Sequence, residues 1–353
     1  MKVIAFYLPQ FHQIKENDKW WGDGFTEWTN VKKAKSLFEK HNQPRIPINK
    51  NYYNLLDIKT QEWQSHLMKQ YNIYGLCYYH YWFNGKKLLE KPLENLIKNK
   101  HIDTKFCMSW ANEPWTRSWD GKNKDILISQ EYGNKKEWKK HFDYLLQFFL
   151  DDRYIKIDNK PIFVIYRTNN IPNCEKMITY WKKLAKENGL KGLYLVETLN
   201  SFQNKPCINS SEAVIEFEPM YTLKYDMPII KQAKRLYNKK TNSLDKFEYE
   251  VVYNRILNRK TKYLGKEKFS GAFVDWDNTP RKGNKGTVCL GANPDTFEKN
   301  MDRLMNKCKQ ERNDRFIFIN AWNEWAEGTY LEPDSKYEYG YLEVIKKLNQ
   351  KYL

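Results

Sequence analysis

The sequence predicts an α/β protein, a single (β/α)8 TIM barrel over residues 1–353 with enlarged loops at the C-terminal face of its strands. Three observations lead there. Short, near-continuous apolar runs recur eight times, as in Phe163-Val164-Ile165 and Phe316-Ile317-Phe318-Ile319, the composition of strands covered on both faces. Most of these runs are separated by stretches suited to helices, which favours an α/β fold. Finally, the 353 residues exceed the about 250 of a barrel core, leaving roughly 100 for loops.

In chain order, the first strand is read at 3–8, followed by a helix at 61–71 and a second strand at 74–79. A helix at 89–99 precedes the third strand at 105–110, and a longer helix at 136–149 precedes the fourth at 161–166. The helix at 175–188 is ended near Gly189, before the fifth strand at 192–197. Strands six, seven and eight are read at 213–217, 269–275 and 316–320, with a Lys-rich helical excursion blurring the fifth-to-seventh region. The long insertions fall at 9–60, 112–134, 218–244 and 277–294, mostly directly after a strand, where barrel enzymes build their sites.

Composition narrows the class. A 16% aromatic content argues against general disorder, and the length excludes a disulfide-stapled miniature fold. No run approaches the roughly 18 to 20 apolar residues of a membrane span, and residues 1–9 lack a full signal-peptide pattern. The six cysteines are scattered, with Cys77 and Cys107 inside apolar runs, so a cytoplasmic protein is expected. The formal charge of +17 is dispersed as lysines on helical stretches, and no zinc-finger, basic-zipper or RNA-binding motif appears. No specific nucleic-acid partner is expected. Peripheral attraction to membrane headgroups or anionic polymers stays open, and the sequence does not indicate an oligomeric state.

The strand ends carry the chemistry. They read Tyr78-Tyr79-His80-Tyr81-Trp82, Trp110-Ala111-Asn112-Glu113-Pro114-Trp115, Glu216-Phe217-Glu218, Asp275-Trp276-Asp277-Asn278, and Asn320 to Gly328 with Asn323 inside it. Closing the strands into one barrel makes carboxylates and rings converge on a single cavity. Aromatic faces cover the C–H faces of sugars while carboxylates and amides bond their hydroxyls, so the expected partner is an oligosaccharide or polysaccharide. Glu324 and Glu327 are the candidate catalytic pair: a turn brings positions i and i+3 together, and Gly328 permits the departure from strand geometry. Two carboxyls in unlike environments can divide proton donation from charge stabilisation at a glycosidic bond.

Candidate substrate contacts are His12, Glu27, Trp28, Tyr79, His80, Trp82, Trp110, Asn112, Glu113, Trp115, Asp275, Trp276, Asp277 and Asn323. Several have a structural alternative: burial for His80 and His12, loop-shaping for Glu27, pairing with Arg117 for Glu113, and capping of the turn through Asn278 for Asp277. No His-x-x-x-His array, close cysteine pair, Gly-x-Gly-x-x-Gly or Walker loop is present, so neither a metal nor a cofactor is expected. The basic, Gly-rich stretch 283–291 reads as a substrate loop, with phosphate contact by Arg281 or Lys282 as its alternative.

The stretches AFYLPQFH (5–12), GFTEWTNV (24–31), GLCYYHYWFNGKKLLEKPLE (75–94), WANEPWTRSWDG (110–121), DDRYIKIDNKPIFVIYR (151–167), WDNTPR (276–281) and NAWNEWAEGTYLEPD (320–334) span nearly the whole chain. Through them the protein resembles the WbsX-like polysaccharide-biosynthesis proteins, a group related to glycoside hydrolase family 99. The resemblance implies a barrel acting on carbohydrate. The related hydrolases are retaining endo-α-mannosidases with two glutamates in an Asn-x-x-Glu-x-x-Glu-Gly setting; here Asn320 lies one position further upstream. Carried over, Glu324 deprotonates the sugar 2-hydroxyl, which attacks the anomeric carbon, and Glu327 protonates the leaving oxygen and then activates water. The same resemblance implies the competing activity, glycosyl transfer in surface-polysaccharide synthesis (O-antigen or capsule); a noncatalytic carbohydrate-binding module is the third reading. Asp275-Trp276-Asp277 has Asp-x-Asp spacing but lies late in the chain, outside a nucleotide-binding context.

Overall fold

The computed structural model describes residues 1–117, 122–260, 263–313 and 315–352. Eight parallel strands close into a barrel: β1 (Lys2–Tyr7), β2 (Gly75–Phe83), β3 (Phe106–Trp110), β4 (Lys160–Ile165), β5 (Tyr194–Leu199), β6 (Ala213–Glu216), β7 (Glu267–Phe273) and β8 (Phe316–Asn320). Neighbours in sequence are neighbours in the sheet, and β1 closes it by pairing with both β2 (Ile4 opposite Gly75) and β8 (Val3 opposite Ile317). The strand interiors are buried on both faces, which is why they read as continuous apolar runs.

The outer layer comprises α1 (Ile58–Gln70), α2 (Lys91–Lys98), α3 (Lys135–Phe149), α4 (Cys174–Glu187), α5 (Tyr249–Asn258), α6 (Pro294–Gln310) and α7 (Gly340–Lys351). Local chemistry sets their starts. Asn134 accepts from the Lys136 amide while Glu137 reaches back to the Asn134 amide, and Asn293 caps α6 ahead of Pro294. α3 buries Phe142, Leu145, Phe148 and Phe149, and α4 buries Met177, Ile178, Trp181 and Leu184, one stripe each against the sheet.

Two departures from the expected elements have plain causes. The fifth strand starts at Tyr194 because Gly192 sits at φ +121°, outside strand geometry. Among the described residues no helix joins β5 to β6; residues 200–212 are a loop, so the barrel lacks one of its eight crossover helices. The helical excursion after β6 resolves into Met220–Tyr225, Ile229–Lys240 and α5. No helix among the described residues is long and apolar enough to cross a membrane. Arg117's side chain, and residues 118–121 at the end of the stretch 110–121, lie outside the described residues.

Barrel closure depends on close backbone approach at Gly271 in β7. A Cβ there would stand 1.7 Å from the Glu216 carbonyl oxygen on β6, a contact that neither strand can relieve without separating. Gly271→Ala is expected to destabilise the protein by about 3 kcal/mol or more, read as a lowered urea midpoint; an unchanged midpoint would mean that β6 and β7 are not so tightly apposed.

Candidate active site

The segment after β8 builds the site. Asn323–Glu324 pairs antiparallel with Thr329–Tyr330, and a single 3-10 turn, Trp325–Glu327, joins them. Gly328 closes the turn at φ +64°, where a Cβ would meet Asp277 Cβ at 2.8 Å and its amide nitrogen at 2.9 Å. The Asp277 amide donates to the Glu327 carbonyl at 2.7 Å, tying this turn to the loop after β7. The turn sets Glu324 and Glu327 on the wall of a cavity of about 450 Å³ at the C-terminal mouth of the barrel, within the size range of ligand pockets.

One guanidinium organises the carboxyls. Arg281, in the loop after β7, donates through Nη1 to Glu327 at 2.7 Å, through Nη2 to Glu324 at 3.1 Å and through Nε to Glu27 at 3.0 Å. Glu27 begins the helix Glu27–Lys33 in the loop after β1 and is fully buried. Burial pushes the Glu324 carboxyl up to about 8; Arg281 opposes the shift, while the negative charges of Glu327 and Glu27 reinforce it. The pair therefore retains a proton near neutral pH.

Below the turn lies a second buried carboxylate, Glu332. It accepts from Gln64 at 2.7 Å, Trp322 at 2.8 Å, Trp325 at 2.7 Å and Tyr53 at 2.8 Å. Burial still lifts it to about 7 despite those four donors. Both indoles of the Trp-rich segment thus point into the protein and fasten the turn rather than facing the cavity.

Of the residues expected at the site, Tyr79, Glu113, Trp115, Trp276, Glu324 and Glu327 meet on the cavity wall. Glu113 accepts from Arg167 at 2.8 Å. The others do not line the cavity, and alternation along each strand end explains most of the difference. On β2, Tyr79 and Tyr81 face the cavity, whereas His80 and Trp82 point outward at α3. His80 meets His141 ring to ring at 2.8 Å, and burial lowers its pKa to about 3; Trp82 stacks on His141, with Trp110 edge-on to it. Asn112 bonds the Arg167 amide and carbonyl, joining two loops, while its neighbour Glu113 reaches the cavity.

After β7 the same rule selects Trp276 over its flanking aspartates. Asp275 pairs with Arg45 at 2.8 Å. Burial alone would raise the Asp277 carboxyl, but hydrogen bonds from His41, Thr279 and Gln43, with the charge of Arg45, hold it below the usual range. The Leu37 amide donates to His41 Nδ1, so Nε2 carries the hydrogen given to Asp277. Asp277 caps its turn through Thr279, not Asn278. After β6, Phe217 lines the cavity while Glu216 and Glu218 turn to Arg259.

The other candidates on the first loop and on the turn are buried away from the cavity wall. Trp28 donates to the Tyr53 carbonyl and packs on Phe11 and Trp325. His12 is buried, desolvated and lowered to about 4. Asn323 bonds the Leu8 amide and carbonyl, fastening the turn to the end of β1. Wall residues that the strand-end reading did not single out include Tyr81, Tyr166, Phe217, Trp21 and Met220. Arg281 and Lys282 were expected only as phosphate contacts; Arg281's carboxylate partners lie 43 to 254 positions away, beyond the reach of spacing arguments.

Replacing Arg281 with Met leaves three acidic side chains without their shared cation. We expect a loss of about 3 to 5 kcal/mol at pH 8.5, shrinking at pH 5.5 because the folded protein then neutralises these carboxyls by protonation. Urea unfolding at both pH values checks this; equal losses would show that the guanidinium acts by packing alone.

Comparison with known proteins agrees with this architecture. The protein WxcX of Xanthomonas campestris pv. campestris strain B100, described as uncharacterized, is 32% identical over 347 residues, covering 98% of this chain and 49% of its own. The chain thus spans about half the length of the curated relatives it matches. Among solved structures, one described as a glycoside hydrolase-like protein superposes with a TM-score of 0.62 at 13% identity, covering 98% of this chain and 93% of its own. The family 99 endo-α-mannosidase of Bacteroides thetaiotaomicron superposes with a TM-score of 0.57 at 14% identity, covering 99% and 97%. These two share the fold. A family model described as Glycosyltransferase WbsX matches residues 3–345, and the chain belongs to that family.

Proposed function

We propose that the protein cleaves an α-linked glycosidic bond in a surface polysaccharide, with retention and with the substrate's own 2-hydroxyl as nucleophile. The observation that carries this reading is the placement of Glu324 and Glu327 on one turn, both on the cavity wall and both bonded to Arg281. Tyr79, Tyr81, Trp115 and Trp276 supply faces against which sugar rings stack, and Glu113 accepts hydroxyl bonds beside them.

In the first step Glu324 takes the proton of the 2-hydroxyl as O2 attacks the anomeric carbon. The C–O bond to the leaving sugar breaks, and Glu327 protonates the departing oxygen. In the second, Glu327 takes a proton from water as the water oxygen opens the 1,2-anhydro ring, and Glu324 returns its proton to O2. Two inversions give net retention, and both carboxyls end as they began. The cycle needs the pair's proton on Glu327 and Glu324 ionised; burial favours that proton on Glu324 in the free site, so the reaction requires its transfer to Glu327 once substrate is bound.

The family description favours a second reading, transfer of a glycosyl group to a sugar acceptor instead of water. Incubation with isolated surface glycans separates the two: shortened glycan with water alone supports cleavage, whereas growth only with a sugar nucleotide replaces it with transfer. Glu324→Gln and Glu327→Gln should each lower kcat by about a hundredfold or more; near-parental rates in both would remove the pair from the mechanism.

The pH profile follows from the same pair. Losing its last proton removes the acid, so kcat/KM should fall on the alkaline side with a midpoint near 8. A rate still rising through about pH 9 would place the retained proton outside the cycle.

A further inference from the structure

The helix Ile229–Lys240 is packed inside out. Ile229, Ile230, Ala233, Leu236 and Tyr237 occupy positions i, i+1, i+4, i+7 and i+8, an arc of about 120° on one face. That face points to solvent: Ile229 and Ile230 are 84% and 83% exposed, and Leu236 and Tyr237 are 64% and 66%. The inward face is polar. Gln232 donates to the Met227 carbonyl, Arg235 bonds the Leu223 carbonyl and Asp245, and Asn238 is buried. A surface helix ordinarily buries its apolar stripe; here polar anchors hold the stripe outward.

Charge identifies the occupant. Lys234 and Lys239 flank the apolar arc on either side and Lys240 closes its C-terminal end, all exposed, on a chain of formal charge +17. A second copy would bring these lysines face to face. An anionic lipid surface answers both features, taking the apolar side chains below its headgroups and the ammonium groups among its phosphates. The helix does not line the cavity but stands near it: Lys282 on the cavity wall feels the charges of Lys239 and Arg235 on the helix.

We propose that the helix Ile229–Lys240 is an interfacial membrane anchor that seats the protein on anionic lipid, with the cavity mouth beside the headgroups. This does not depend on which reaction the cavity performs.

Flotation with vesicles tests it. The protein should bind vesicles of phosphatidylcholine mixed with phosphatidylglycerol, bind phosphatidylcholine alone far more weakly, and be released by salt. Ile229→Ser with Ile230→Ser and Leu236→Ser should weaken binding about tenfold or more. Substituting Gln for Lys234, Lys239 and Lys240 should cost about fivefold for each lysine on anionic vesicles. These side chains are exposed, so unfolding midpoints should stay at the parental value. Absence of flotation at low salt, or equal flotation of parent and variants, overturns the proposal. A dimer by light scattering that the same serine substitutions dissociate, without vesicle binding, assigns the face to a second copy instead.

Discussion

The cavity is organised around one buried guanidinium. Arg281 belongs to the loop after β7, Glu324 and Glu327 to the segment after β8, and Glu27 to the loop after β1, so three barrel loops converge on one planar cation. Arginine suits this task because its donors form a fixed fork, so each carboxylate it holds is oriented as well as neutralised. A lysine ammonium could match the charge but not the three directions. Removing buried carboxylates from water is costly unless each finds a partner; the same pairing that makes the loops mutually dependent also aims two acids at one opening.

Beneath that fork lies a second tier of acceptors that never reaches the cavity. Glu332 gathers two indoles, a phenol and an amide from β8's extension, the first loop and α1. Asp277 gathers His41, Gln43 and Thr279. Both draw the long first loop onto the last two strands, so the turn bearing Glu324 and Glu327 rests on bonded polar groups and packed rings. A pair of acids separated by a few tenths of an ångström from its working position loses much of its effect, and this tier restricts such displacement.

The barrel was largely legible because its strands are covered on both faces and advertise themselves as apolar runs. The convergence of Glu324 and Glu327 was legible as a spacing, since i and i+3 on a turn meet whatever surrounds them. The rest of the wall was obscured by one effect repeated at several strand ends. A reading that gathers the whole tail of a strand collects both parities, but only one parity faces the cavity. His80 and Trp82 fall out beside Tyr79 and Tyr81, Asn112 beside Glu113, and Asp275 and Asp277 beside Trp276. Applying the two-residue period from each strand into its tail would have removed most of those residues. Arg281 and Glu332 were different in kind: their partners are distant in the chain, and only the closed barrel brings them together.

Charge counting around Arg281 bears on what the site can be. Three ionised carboxylates against the Arg281 guanidinium, with Lys282 beside Glu327, would leave an excess of negative charge around the aromatic-walled cavity. Retaining a proton on the Glu324/Glu327 pair relieves that excess, and burial favours the same state. The loops thus create an acid beside a base without needing a separate device to tune either one. Cleavage and transfer both use that arrangement at an anomeric carbon, and they diverge only in whether water or a sugar hydroxyl occupies the acceptor position. The fold is indifferent to this choice. On either reading the choice would rest with how the cavity wall, Trp21, Phe202 and Met220 among its residues, admits water or an acceptor sugar.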